Sequence, residues 1–129
     1  MSFFNSPRFW RYWLLTFGLW TFGLVMPGTW FGQVASFSVG DIGLAKVLHF
    51  VMYASLAAFA GWLPLKYRTR LLIALPLLSA HGAITEVIQL WVPARTGCVR
   101  DWVIDTAGIL TGLLLALWRW PADNAAGQQ

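Results

Sequence analysis

Apolar residues fill four long windows of this chain, 9–26, 44–63, 71–92 and 101–120, with few polar positions inside them. A helix rises 1.5 Å per residue, so about 20 largely apolar residues cross the hydrocarbon layer of a bilayer. Each window comes close to that length. Each also ends at residues that stop helices: Pro27 with Gly28, then Pro64, Pro93 and Pro121. The pattern predicts an all-α, four-helix transmembrane bundle with short connections. Pro76 falls inside the third window, where it is expected to kink the helix while neighbouring helices satisfy the carbonyl it frees. The stretch 27–43 is rich in Gly, Ser and aromatic residues without a clear period, and it reads as an interfacial segment. The first window, with Arg8 and Arg11 ahead of it, also has the outline of a cleavable leader. Small residues at the spacing of a cleavage site are not evident near Ala35, so this helix is expected to be retained.

Composition supports the membrane reading. With 58% hydrophobic and 11% charged residues in a chain of 129, polar side chains are too few to coat a soluble globule. One compact domain over 1–120 is expected, with 121–129, small and polar, as a flexible C-terminal tail. Cys98 is alone, which excludes an intrachain disulfide and a cysteine-based metal site. The net charge of +4 contains no dense basic run, so nucleic acid is not an expected partner. The basic residues flank the apolar windows instead. Arg8, Arg11, Lys66, Arg68, Arg70 and Arg119 fall on one side, and Lys46, Arg95 and Arg100 on the other, which predicts both termini in the cytoplasm. Trp10, Trp13, Trp62, Trp118 and Trp120 would then form an inner aromatic belt, and Trp30, Trp91 and Trp102 an outer one. Trp20 falls mid-span and is expected to pack.

Polar residues inside such windows are informative, because a buried ionisable group persists only when it is paired, wetted or used. Lys46, His49 and Tyr53 share one stripe of the second helix, Glu86 and Gln89 one of the third, and Asp101, Asp105, Gly108 and Gly112 one of the fourth. Counting inward from the predicted outer ends puts His49, Glu86 and Asp105 at a similar depth, roughly 6 to 9 Å below the interface. The short connection between the third and fourth windows makes those helices antiparallel neighbours. Gly108 and Gly112 form a G-x-x-x-G pair that invites close approach of another helix, in this chain or in an oligomeric partner. Arg95, Arg100 and Lys46 sit where they would rim the cluster and hold an anionic group. The bland alternative is internal pairing: Arg95 or Arg100 with Asp101, and Lys46 or His49 with Glu86 or Asp105. His81, near mid-membrane, reads as a hydrogen bond between helices. His49, Glu86, Asp101 and Asp105 have the side-chain types of metal ligands, but their spacing matches no metal signature, and neither a metal nor another cofactor is expected.

In these residues the chain resembles the VanZ-like family of small polytopic membrane proteins, related to an accessory factor of teicoplanin resistance. The match runs through Lys46-x-x-His49-Phe50 with Tyr53, Glu86-x-x-Gln89, Val92-Pro93-x-Arg95, and Asp101 followed by Asp105, Gly108 and Gly112. It covers about 45–114. The family pattern carries Asn where Asp105 stands, so this chain holds an additional acid there, expected to be the one that stays neutral or donates a hydrogen bond. The resemblance implies a cell-envelope setting without supplying a reaction, and drug resistance does not carry over with it.

Together these readings lead to a multi-pass protein of a bacterial cytoplasmic membrane with a polar pocket facing the extracytoplasmic side. Lys46, Tyr53, Gln89, Arg95, Arg100 and Asp101 would bind an anionic envelope lipid or a peptidoglycan-related group. A second reading is a membrane hydrolase or transferase acting on a lipid-linked phosphate or glycan. There His49 is acid or base, Glu86 its partner, and Asp105 completes the catalytic set. A third is an assembly partner of another membrane protein through Gly108 and Gly112.

Overall fold

The computed structural model describes residues 7–27, 29, 38–39, 42–61, 63 and 67–119. Four helices carry the fold: α1 Pro7–Val25, α2 Leu44–Ala60, α3 Tyr67–Gln89 and α4 Val99–Arg119. Trp30, Asp41, Trp62, Pro64, Lys66, Trp120, Pro121 and the expected tail lie outside the described residues, as do the side chains of Arg8, Arg68, Arg70 and Arg119.

Each predicted window contains one helix, with ends shifted by a few residues. The third stops at Gln89 rather than Val92, because Pro93 disfavours helical backbone before it. The amides of Leu90, Trp91 and Val92 instead reach back three residues, to Val87, Ile88 and Gln89. Helix α3 runs through Pro76 without ending there. Part of the linker is ordered: β1, Ser38–Val39, pairs antiparallel with β2, Ile42–Gly43, immediately before α2.

Of the four expected spans, two described helical segments are long and apolar enough to cross a bilayer, Leu72–Gln89 and Val99–Trp118. Helix α2 has 17 residues, about 26 Å at the helical rise, which is slightly short of a 30 Å hydrocarbon layer. Helix α1 has 19 residues but carries Arg8, Arg11 and four Trp or Tyr side chains, which depress its hydropathy.

Contacts along the helices fix their directions. Trp13 Nε1 donates to Leu56 O, Thr21 meets His81 and Gln89 reaches Leu24 O, so α1 runs parallel to α3. Tyr53 meets His81 while His49 lies near Glu86, so α2 and α3 are antiparallel. Ser79 meets Thr106 and Glu86 reaches Cys98 just before α4, the antiparallel pairing that the short connection predicts.

Helices α2 and α4 are parallel and make the tightest seam. A Cβ placed on Gly108 would lie 2.5 Å from Phe50 O, one on Gly112 would lie 2.1 Å from Ala54 O, and one on Gly61 would meet the Ala116 side chain. Only hydrogen at these positions permits such an approach, and in an apolar medium dense packing, not exclusion of water, is what joins helices. Within the chain, the close neighbour that Gly108 and Gly112 invite is α2. Both are buried against it.

The distribution of side chains is inverted relative to a soluble protein. Leu15, Leu72 and Leu114 are among the most exposed residues, whereas His49, Thr85, Glu86, Gln89 and Asp105 are buried. Between them lies an apolar layer containing Trp13, Met52, Leu56, Leu78, Ile109 and Leu113, with Trp20 packed against it.

Candidate functional site

The polar interior divides into two networks. On α3, His81, Thr85 and Gln89 recur every four residues and face α1 and α2. Gly82 and Glu86, one step around the helix, face α4. The expected single line through Glu86 and Gln89 is therefore two lines. A separation of three residues leaves side chains about 60° apart around a helix, enough to aim them at different neighbours.

The first network ties α1 to the bundle. Thr21 Oγ1 donates to Phe17 O at 2.8 Å, so it accepts from His81 Nε2–H at 3.0 Å. His81 Nδ1 is then the acceptor for the Tyr53 hydroxyl at 2.9 Å. This donor accounting assigns the tautomer and makes His81 the interhelical bridge that its position predicts. Thr85 gives its own proton to Gly82 O and lies 3.4 Å from the Tyr53 oxygen. Sequence reasoning missed Thr21 and Thr85, although the four-residue spacing from Thr85 to Gln89 was a usable signal.

Toward the C-terminal ends of α1 and α3, Gln89 Nε2 donates to Leu24 O at 2.8 Å, while Arg95 donates to Met26 O at 3.1 Å and to Gly23 O at 3.2 Å. Helix α1 has no basic residue in its last turn, so its terminal carbonyls need outside donors. A guanidinium from the α3–α4 loop supplies them and complements the negative end of the helix dipole. Partial burial pulls the Arg95 pKa below its ordinary range, while the Glu86 charge works in the opposite direction. Arg95 and Gln89 thus have structural partners at the end of α1.

The second network is centred on His49. Its Nδ1 shares a hydrogen bond with Asp105 Oδ1 at 2.9 Å and lies 3.7 Å from Glu86 Oε1. Glu86 Oε2 accepts the backbone N–H of Cys98 at 2.7 Å, directly before α4, where the helix dipole favours negative charge. Asp101 follows in the first turn of α4. Two carboxylates therefore meet one imidazole, and three acceptor atoms here have no partner among the described residues: Glu86 Oε1, Asp101 Oδ1 and Asp105 Oδ2. Lys46 is half-buried and Arg100 exposed; neither forms an ion pair with a described residue.

Glu86 also belongs to a cleft of about 230 Å³ between α3 and α4. Val87, Leu90, Val99 and Trp102 supply its apolar walls, and Gly97 and Cys98 its rim. Gly97 is required by this arrangement, since a Cβ there would lie 2.0 Å from Glu86 O.

An apolar exterior around an imidazole and two carboxylates is the organisation of a membrane protein. The sequence model of the VanZ/LLP1 family matches residues 1–120, nearly the whole chain. The chain belongs to the VanZ/LLP1 family. No curated protein and no solved structure matches it.

Proposed function

We propose that this protein is a multi-pass component of the bacterial cytoplasmic membrane that recognises an amphipathic, anionic cell-envelope lipid, or a lipid-linked precursor, between α3 and α4. The observation that carries this reading is the dual position of Glu86, which belongs both to the apolar cleft and to the polar centre behind it. An acyl or prenyl segment suits walls of Val87, Leu90, Val99 and Trp102, whereas the adjoining polar atoms suit a head group. The free atoms of the centre are acceptors, so they receive donors from the head group. Its anionic portion falls to Arg100 and Lys46. Two spans and the exposed apolar residues support insertion in a membrane. The basic-residue bias of the sequence supports cytoplasmic termini and an extracytoplasmic cleft.

The test is lipid retention. Protein extracted with its surrounding lipid should be enriched in one anionic species relative to the bulk membrane. Val87→Trp, which fills the cleft, and Arg100→Ala with Lys46→Ala should each abolish that enrichment. An unchanged lipid profile in all of them overturns the reading.

The His49–Asp105 pair favours one alternative, a hydrolase or transferase acting on a lipid-linked phosphate or glycan. A carboxylate orienting an imidazole, with a second carboxylate oxygen 3.7 Å away, has the parts of an acid–base centre. Turnover of such a substrate that disappears in His49→Gln with folding intact would establish it.

A further inference from the structure

We infer that His49, Glu86 and Asp105 form a binding site for a first-row divalent metal ion. The inference stands on the polar centre alone and does not depend on lipid recognition. One ligand atom from each residue lies within 4.8 Å of the others, and all three residues are buried. A four-coordinate ion with bonds near 2.1 Å spaces its ligand atoms about 3.4 Å apart, so the widest pair must close by up to about 1.4 Å and the His49–Asp105 pair must open by about 0.5 Å.

A second observation separates this group from an ordinary ion pair. Glu86 is 6% exposed, its Oε1 points at His49 from 3.7 Å, and that oxygen has no hydrogen-bond partner. Asp105 is fully buried and leaves Oδ2 unpartnered as well. A hydrogen-bonded His49–Asp105 pair accounts for neither oxygen. With His49 protonated and both carboxylates ionised, the trio keeps one net negative charge in a low-dielectric interior, which either a retained proton or a bound cation offsets. A divalent cation bound to neutral His49 balances the trio and uses the open Glu86 Oε1. Binding then requires the Nδ1 lone pair, so the proton that Nδ1 shares with Asp105 goes to solvent and the ring keeps its proton on Nε2.

The ligand chemistry narrows the ion. Calcium and magnesium favour shells of oxygen alone, whereas an imidazole with two carboxylates suits zinc, manganese or iron(II). Asp101 precedes Asp105 by one helical turn and adds an unpartnered oxygen at the same end of α4. An ion here would also cancel the charge of the two carboxylates and so remove the repulsion that the bare cluster exerts on an anion.

The test uses the full chain, purified without a polyhistidine tag, stripped with chelator and titrated with Zn²⁺ or Mn²⁺ alone. The expected result is about one ion per chain, bound roughly 100-fold more weakly by Glu86→Gln and by Asp105→Asn. Pulsed electron paramagnetic resonance of the Mn²⁺ form should show coupling to one imidazole nitrogen, which disappears in His49→Gln and persists in His81→Gln. Failure of the wild-type chain to bind either ion stoichiometrically overturns the inference, as does unchanged affinity in both carboxamide variants. If those variants do not fold, the wild-type stoichiometry and nitrogen coupling decide the question. Loss of lipid enrichment with ion binding retained would sink the lipid reading and leave this one intact.

Discussion

Helix α4 carries two stretches along its length that follow opposite rules. Toward α2 it offers Gly108, Gly112 and Ala116, and the two backbones close until no side chain fits between them. Around Asp101, Trp102 and Asp105 the helices are held apart by side chains, and three acceptor atoms are left without partners. The first stretch is complete and the second is not. Packing contacts gain nothing from a vacancy, whereas a centre that binds needs open coordination or hydrogen-bonding capacity. The difference assigns stability to the glycine seam and leaves hydrogen-bonding capacity open at the end of α4 that carries Asp101 and Asp105.

The largest expected effect breaks the seam. In Gly112→Leu the new side chain must displace Ala54 backbone, so the helices separate along their length; overpacking on this scale costs about 3 kcal/mol or more. Little folded protein should survive extraction, judged by thermal unfolding in detergent. Gly18 on α1 is the control, because a Cβ there meets nothing within 4 Å. Gly18→Ala should be neutral or raise stability by about 0.5 to 1 kcal/mol through helix propensity. Equal damage at both positions would show that the close seam does not exist.

The next effect is confined to α1. Arg95→Ala removes two charged hydrogen bonds to the last turn of that helix, a loss of about 2 kcal/mol. Hydrogen exchange should quicken in the last turn of α1 while the α2–α4 seam keeps its protection. Uniform loss of protection would mean that the bundle unfolds as one unit and that the Arg95 tie is not local. Tyr53→Phe acts more gently. It removes the donor to His81 Nδ1 and costs about 1 kcal/mol, measured as a shift in unfolding midpoint. Activity or ion binding that also disappears would join the two polar networks, which the geometry keeps separate.

Much of this was legible in the chain because helical spacing is a local property. Four apolar windows predicted four helices, and the matched depths of His49, Glu86 and Asp105 anticipated their meeting. The spacing of Gly108 and Gly112 announced a close approach but not its partner, since a spacing of four reads the same for an internal helix and a foreign one. Glu86 and Gln89 were grouped as one line because the spacing test tolerates 60°, while neighbouring helices separate them. Arg95 looked like part of a cationic rim because its role depends on where α1 ends in space. A usable signal was present, for the end of α1 lacks a capping cation of its own. The vacant oxygens of Glu86 and Asp105 follow from tertiary geometry and leave no trace in residue order.

The smallest effect tests how firmly the loop holds the polar end. Ala94 adopts φ 57°, the left-handed region, in the turn leading to Arg95 and Gly97. An L-residue is disfavoured there by about 1 to 2 kcal/mol, which glycine avoids. Glycine also gives the unfolded chain more freedom, removing about 0.4 to 1 kcal/mol of that advantage. Ala94→Gly should therefore stabilise the protein by about 0 to 1.6 kcal/mol, visible as a small rise in unfolding midpoint. Ala94→Val should lower it, because a β-branched side chain tolerates positive φ less well than alanine. The paired signs matter more than their sizes. If valine and glycine shift the midpoint in the same direction, the turn is not locked in this conformation, and the short path from Arg95 to Glu86 and Cys98 cannot be what orients the centre.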